Sequence, residues 1–248
     1  MKFGVKILLG LIVVIGLFLL TAPASLMTSV LPEQNSPVSL SGLQGKILEG
    51  EAGQVNVRGI PLQNVSWDLN FLSTITGSPS AAIEINDPAL TATTNVTFSS
   101  PENWALEALN GDIQLNKLDQ FIPALRPLGI TGKATASNIF VALSETAFQA
   151  GEGTIEWDNA RFNFYKQTLD LESISAELGL AGSDLTLDYR GSSALAPNGR
   201  ITLTPKGDYQ MTIYITPSAL PQTMQWVSRM GKVAADGTVL FELNGRLR

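Results

Sequence analysis

Histidine and cysteine are both absent from the 248 residues. Without imidazole there is no Ser-His-Asp relay and no histidine-centred zinc site. Without cysteine there are no disulfides, so a domain outside the cytoplasm has to draw its stability from burial alone. Charge is sparse at 15% of residues, against about 25% in an ordinary soluble chain. Positive charge is the scarcer sign. With Lys2 and Lys6 set aside, 14 basic residues face 22 acidic ones, a net charge near −8. A protein that binds a phosphate backbone needs a positive face, which excludes nucleic acid as a partner.

The N-terminus is where apolar residues collect. Lys2 and Lys6 precede an apolar run from Ile7 to Leu20, and no charge follows until Glu33. Basic residues beside a hydrophobic span stay on the cytoplasmic side, so the remaining chain is expected across the membrane. Uncharged residues continue through Met27, which gives the segment spanning length. Ala22-Pro23-Ala24 also reads as a small-residue cleavage site behind an apolar core of signal-peptide size, so a retained anchor and a removed leader both remain open. The resulting plan is a cytoplasmic stub at 1–6, a transmembrane anchor or uncleaved signal at 7–27, a linker at 28–40 and a periplasmic β domain at 41–248.

From Ser39 onward the pattern is apolar-polar alternation broken by glycine, the period of strands with one buried face. Gln54 to Arg58 alternates and Gly59 turns the chain. Val65, Trp67 and Leu69 share the next strand face. Ala82 to Ile85, Leu90 to Phe98, Gly132 to Val141 and Gly153 to Trp157 follow, and Ala160 to Phe164 comes after a turn expected at Asp158-Asn159. Leu178 and Leu180 precede Gly182, Leu185, Leu187 and Tyr189 then alternate again, and Gly199 to Leu203, Gln210 to Ile215 and Gly237 to Leu247 complete the series. Pro217 to Met230 is the one segment that predicts a true helix. It opens on Pro-Ser, spaces Leu220, Met224 and Val227 near one turn apart, and ends at Gly231. About a dozen strands and one helix predict an all-β fold: an extended, strongly curved antiparallel sheet, or a partly open barrel or sandwich, with an N-terminal transmembrane helix.

Candidate chemistry is thin. Glu49 with Glu51, and Glu152 with Glu156, can share strand faces, but a glycosidase needs two carboxylates facing each other across a cleft, about 5 to 9 Å apart. Asp184 and Asp188 lack the loop of oxygen ligands that holds calcium. Glycine-rich turns are present without a P-loop or dinucleotide fingerprint. The pairs Trp67-Asp68 and Trp157-Asp158 read as inward tryptophans beside outward carboxylates. No catalytic, metal or cofactor residue is assigned, and the chain reads as non-enzymatic.

The run Ser41-Gly42-Leu43-Gln44-Gly45-Lys46-Ile47-Leu48-Glu49-Gly50-Glu51-Ala52, continuing to Val65-Ser66-Trp67-Asp68, resembles the type II secretion system protein N family. Leu48 or Glu49 stands where members place a first tryptophan. Leu109 to Leu115, the strand at Gly153–Ala160 and the passage from Ile215 to Gly245 fit the same order. That resemblance implies an accessory inner-membrane component of the type II secretion system: single-pass, anchored by its N-terminal helix, with a periplasmic β domain and protein partners in the secretion machinery. The layout is also similar to AsmA-like bridge-type proteins, which implies the alternative of a lipid-binding or lipid-transfer protein of the envelope with lipid in an apolar groove. In the first case inward residues such as Val65, Trp67, Ile155, Trp157, Phe162 and Phe164 are sealed in a core; in the second they line an open furrow.

A reporter fused after Arg248 is expected to be active in the periplasm and silent in the cytosol. Activity confined to the cytosol would remove the export reading.

Overall fold

Alternation of apolar and polar residues across most of the chain leaves it little option but to pair strands. In the computed structural model, which describes residues 21–26, 38–57, 59–75, 77–100, 103–120, 126, 129–164, 167–216 and 231–246, the described residues form fourteen of them. They are β1 (Val38–Gly45), β2 (Glu49–Val57), β3 (Ile60–Leu69), β4 (Ser80–Asn86), β5 (Leu90–Ser100), β6 (Asn103–Gln114), β7 (Ile130–Leu143), β8 (Phe148–Phe164), β9 (Gln167–Ala181), β10 (Asp184–Gly191), β11 (Asn198–Leu203), β12 (Asp208–Ile215), β13 (Lys232–Val233) and β14 (Val239–Arg246). A single helical turn, α1 (Phe71–Ile75), follows β3, and a 3₁₀ turn spans Leu115–Gln120. Sheet order follows chain order from β1 to β12; β14 then pairs with β12, and β13 lies outside β14. The all-β expectation is met by antiparallel pairing between sequence neighbours. The expected helix at Pro217–Met230, the expected stub at 1–6, and residues 7–20 and 27 of the expected anchor lie outside the described residues. No helix among the described residues is long and apolar enough to cross a membrane.

The chain divides into two compact units, residues 1–91 and 92–248. In the first, register places Val65 against Ala52 on one side and Ile85 on the other, and Leu62 against Val55. Ala52, Val55 and Val65 are buried there, with Leu40, Leu43, Trp67, Ile83 and Ile85 packed around them. The buried Asp87 holds the β4–β5 turn: its carboxylate accepts from Ala89 N–H at 2.7 Å and Gln63 N–H at 3.0 Å. Two bonds satisfy a charge that burial would otherwise penalise. At the other end of the unit, Pro23 bridges Lys46, with Ala24 N–H donating to Gly45 O at 3.0 Å and Ile47 N–H to Ala22 O at 2.9 Å. Ala22 and Ala24 are buried by that bridge.

The second unit contains the longest strands. Its β8 runs 17 residues without a break, which corrects the turn expected at Asp158-Asn159. Asn159 has φ +50 and sits where the β8–β9 register slips between Asp158 and Ala160. Asparagine tolerates the left-handed region, and one such residue makes a bulge within a strand as readily as a turn between two. Ala108, Asn138 and Glu172 play the same part in β6, β7 and β9, each at a positive φ beside a register shift. Long strands need this device to bend. Ala160, Leu171, Leu195, Ile215 and Val239 form the buried cluster, against which Trp157, Phe162 and Phe241 pack. Trp157 and Phe162 meet edge-on, centroids 5.6 Å apart.

One motif recurs in both units: an aromatic ring over a glycine of the neighbouring strand. Trp67 faces Gly50, Tyr189 faces Gly199 and Tyr209 faces Gly245 as direct register partners. Trp157 covers Gly132 across a bulge. A Cβ on Gly50 would lie 2.7 Å from Trp67 Cζ2, and one on Gly132 would lie 2.6 Å from Trp157 Nε1. Both indoles also donate to main-chain carbonyls, Trp67 to Ile47 O at 2.8 Å and Trp157 to Thr131 O at 3.0 Å. The ring restores apolar cover that glycine cannot supply, and the glycine leaves room for the ring.

Substitutions separate these effects. Trp157→Phe is expected to cost about 1 kcal/mol in urea unfolding through the lost indole hydrogen bond. Gly132→Ala, with φ +113 and the Asp158 and Asn159 carbonyls as well as the Trp157 ring in the way, is expected to cost more than Gly182→Ala, where φ is +66 and no atom lies within 4 Å. Equal losses at the two glycines would show that crowding does not constrain Gly132.

Candidate functional site

Register partners share a sheet face, so the pairing of the second unit sorts its side chains. One face carries Ile155 and Trp157 of β8, Ile174, Leu178 and Leu180 of β9, Leu185 and Leu187 of β10, Ile201 and Leu203 of β11, Met211 and Ile213 of β12, and Phe241 and Leu243 of β14. Contacts between described elements run almost wholly between sheet neighbours, so no second layer of described residues covers this face. Most of these residues are half-buried, while Leu180 and Leu243 are 41% and 53% exposed. The apolar side is locally concave. A Cβ on Gly151 of β8 would run into Leu185 Cδ1 and lie 3.2 Å from Leu180 Cδ2, so a β10 side chain reaches over β9 to β8.

The opposite face is polar, and several of its charges are paired across strands. Asp188 and Arg200 are register partners joined by two bonds, Nε to Oδ1 at 2.6 Å and Nη2 to Oδ2 at 2.8 Å. Arg161 and Asp170 pair at 3.0 Å, and Lys133 meets Asp112 at 2.9 Å. A depression of about 630 Å³ lies on this side, lined by Glu177, Asp188, Arg190, Asn198, Arg200 and Thr212 among others. The Arg200 guanidinium holds the Asp188 carboxyl below the ordinary 3.8. Asp188 is thereby committed to an ion pair and is a poor proton acceptor. Tyr189, pushed up to about 12 by burial, keeps its proton and donates it to Thr212 O at 2.9 Å. Paired charges and a protonated phenol can hold strands together; they offer no activated nucleophile.

The acidic residues singled out in the sequence do not converge. Glu49 and Glu51 are exposed on β2, opposite Asp68 and Ser66. Glu152 and Glu156 are exposed on β8, opposite Phe140 and Thr135, and Asp184 takes a hydrogen bond from Ser183 while Asp188 serves Arg200. Among the described residues no group of three acidic side chains is placed to hold a metal ion. Trp67 and Trp157 turn inward beside exposed Asp68 and Asp158. What the sequence reading missed is the aromatic–glycine pairing. Its signal was present, since Tyr189 and Gly199 each sit on the apolar period of adjacent strands.

Comparison with known proteins places this geometry. The family described as "Type II secretion system (T2SS), protein N" matches residues 36–241, nearly all of the β region. The chain belongs to the type II secretion system protein N family. It is similar to the type II secretion system protein N of Pectobacterium carotovorum subsp. carotovorum, 25% identical over 100% of this chain and 99% of that one. The Aeromonas hydrophila protein of the same name is 23% identical over 96% of each chain, and that of Vibrio cholerae 23% over 91% of each. No solved structure matches. Membership assigns the chain to a secretion apparatus, which is not a known enzyme class.

Acid should weaken this fold through the paired carboxylates. Asp112, Asp170 and Asp188 are all held below 3.8, by the hydrogen bond from Lys133, by that from the Glu172 N–H, and by that from Arg200 respectively. A depressed folded-state value stabilises above the unfolded value and loses its contribution as pH falls through the folded one. The urea midpoint is therefore expected to hold steady from neutral pH to about pH 5 and to fall below about pH 4. Asp188→Asn should reduce that acid-side fall; an unchanged fall would remove Asp188 from the account.

Proposed function

We propose that this chain is an accessory, non-enzymatic component of the type II secretion system, held in the inner membrane by a single N-terminal span, with its β region in the periplasm contacting other components of the machinery. Family membership over residues 36–241 carries the reading. The early lysines followed by an uncharged apolar run supply the orientation. The β region offers two kinds of surface for such contacts: the concave apolar face of the second unit, and strand edges whose backbone groups can accept another strand.

The apolar face also favours a second reading, lipid handling in the envelope. Its half-buried aliphatic side chains, without a second described layer, form the kind of continuous apolar surface that takes acyl chains. The two readings part in one experiment. Deleting the gene is expected to reduce export of type II substrates while leaving envelope lipid composition unchanged, with the full chain restoring export. Unchanged export, together with lipid co-purifying with the intact protein, would reverse the order of the two readings.

A further inference from the structure

Strand β14 is the last long strand of the second unit, and its outer edge is only partly used. β13 covers Val239 and Leu240 and stops there. Among the described residues nothing bonds to the outer edge from Phe241 to Arg246. The alternation of antiparallel bonds fixes which residues face outward. Ala234 N–H donates to Thr238 O at 2.8 Å, so even-numbered residues of β14 point toward β13. On the far side, Thr204 N–H donates to Asp208 O at 2.9 Å, which turns the even residues of β12 to β11 and its odd residues to the odd residues of β14. Among the described residues, Glu242, Asn244 and Arg246 are therefore left presenting free N–H and C=O groups.

We propose that this edge pairs with the same edge of a second copy of this chain, antiparallel about a twofold axis at Asn244. The sequence of the edge is complementary to itself in that register. Asn244 meets Asn244, and Glu242 meets Arg246 of the second copy twice over, all of them outward-bonding residues, for roughly six N–H···O bonds. On the apolar face, the exposed Leu243 of each copy lies opposite Gly245 of the other, beside the Tyr209 ring that already covers that glycine. Among the described residues, other registers pair fewer outward groups. An axis at Leu243 would require Leu240, already taken by Lys232, and would set Glu242 against Asn244. An axis at Gly245 keeps only the pairing of Asn244 with Arg246 within the described strand, which ends at Arg246. β13 stops one residue before Phe241, so Glu242, Asn244 and Arg246 are the outward residues left along that strand, and Asn244 is the middle one. Closed twofold pairing also disposes of an edge that would otherwise template open-ended association.

The absence of cysteine makes a clean test available in the full-length protein, in membranes or detergent. In a hydrogen-bonded antiparallel pair the Cα atoms are about 5.5 Å apart, within disulfide range. Asn244→Cys is expected to form a disulfide dimer under mild oxidation, while Gln210→Cys, one strand in from the edge, is not. In the Asn244→Cys background, Glu242→Arg or Arg246→Glu alone should lower dimer yield roughly tenfold by setting like charges opposite each other. The two changes together should restore it, although neither regains its contacts within the copy, to Lys232 or to Asp208. Dimer from Asn244→Cys no greater than from Gln210→Cys, capture of a different protein at that position, or failure of the double change to restore yield would each overturn the proposal. None of these readouts depends on secretion, so the proposal and the secretion reading can fail separately.

Discussion

A sheet with one apolar face and no second layer of described residues over it can escape water only by curling toward that face and filling its own gaps. That constraint organises the second unit. Leu185 reaches across β9 toward Gly151, bulges at Asn138, Asn159 and Glu172 let the longest strands bend, and Trp157 with Phe162 closes on the buried Ala160. Burial is consequently shallow: among the described residues Val239 is the one large side chain shielded almost completely. Stability in such an arrangement comes from many partly covered aliphatic groups, each contributing in proportion to the area removed from water.

Glycine and aromatic residues divide the remaining work. Where backbones crowd, a Cβ has no room, and the gap that glycine leaves is filled by a ring from the adjacent strand. At Trp67 and Trp157 the ring also ties its N–H to a loop or strand carbonyl, so the indole sets position as well as area. The polar face is built on the opposite rule. Several of its acids and bases meet as cross-strand partners, Asp188 with Arg200, Arg161 with Asp170 and Lys133 with Asp112, which commits those groups to register.

Much of this was legible in the chain. Period-2 alternation and glycine punctuation located most strands, because a strand's side-chain period is a local property of the backbone. The hairpin at Gly182 and the strands at Gly199–Leu203 and Gln210–Ile215 fall where the pattern places them. Asp158-Asn159 was misread because asparagine at positive φ serves turns and bulges alike, and only the pairing of flanking residues separates them. The short α1 was missed since a five-residue helix has no room to show a 3.6 period.

By itself the sequence determined the class of backbone, the inward and outward face of each strand, and the absence of imidazole and thiol chemistry, all of which depend on residue type and near neighbours. The tertiary structure alone decided which strands pair and in what register. It thereby decided that Asp188 is spent on Arg200, that Trp157 covers Gly132, and that β13 stops short of Phe241. Those outcomes rest on contacts between residues far apart in the chain, and no local period encodes them.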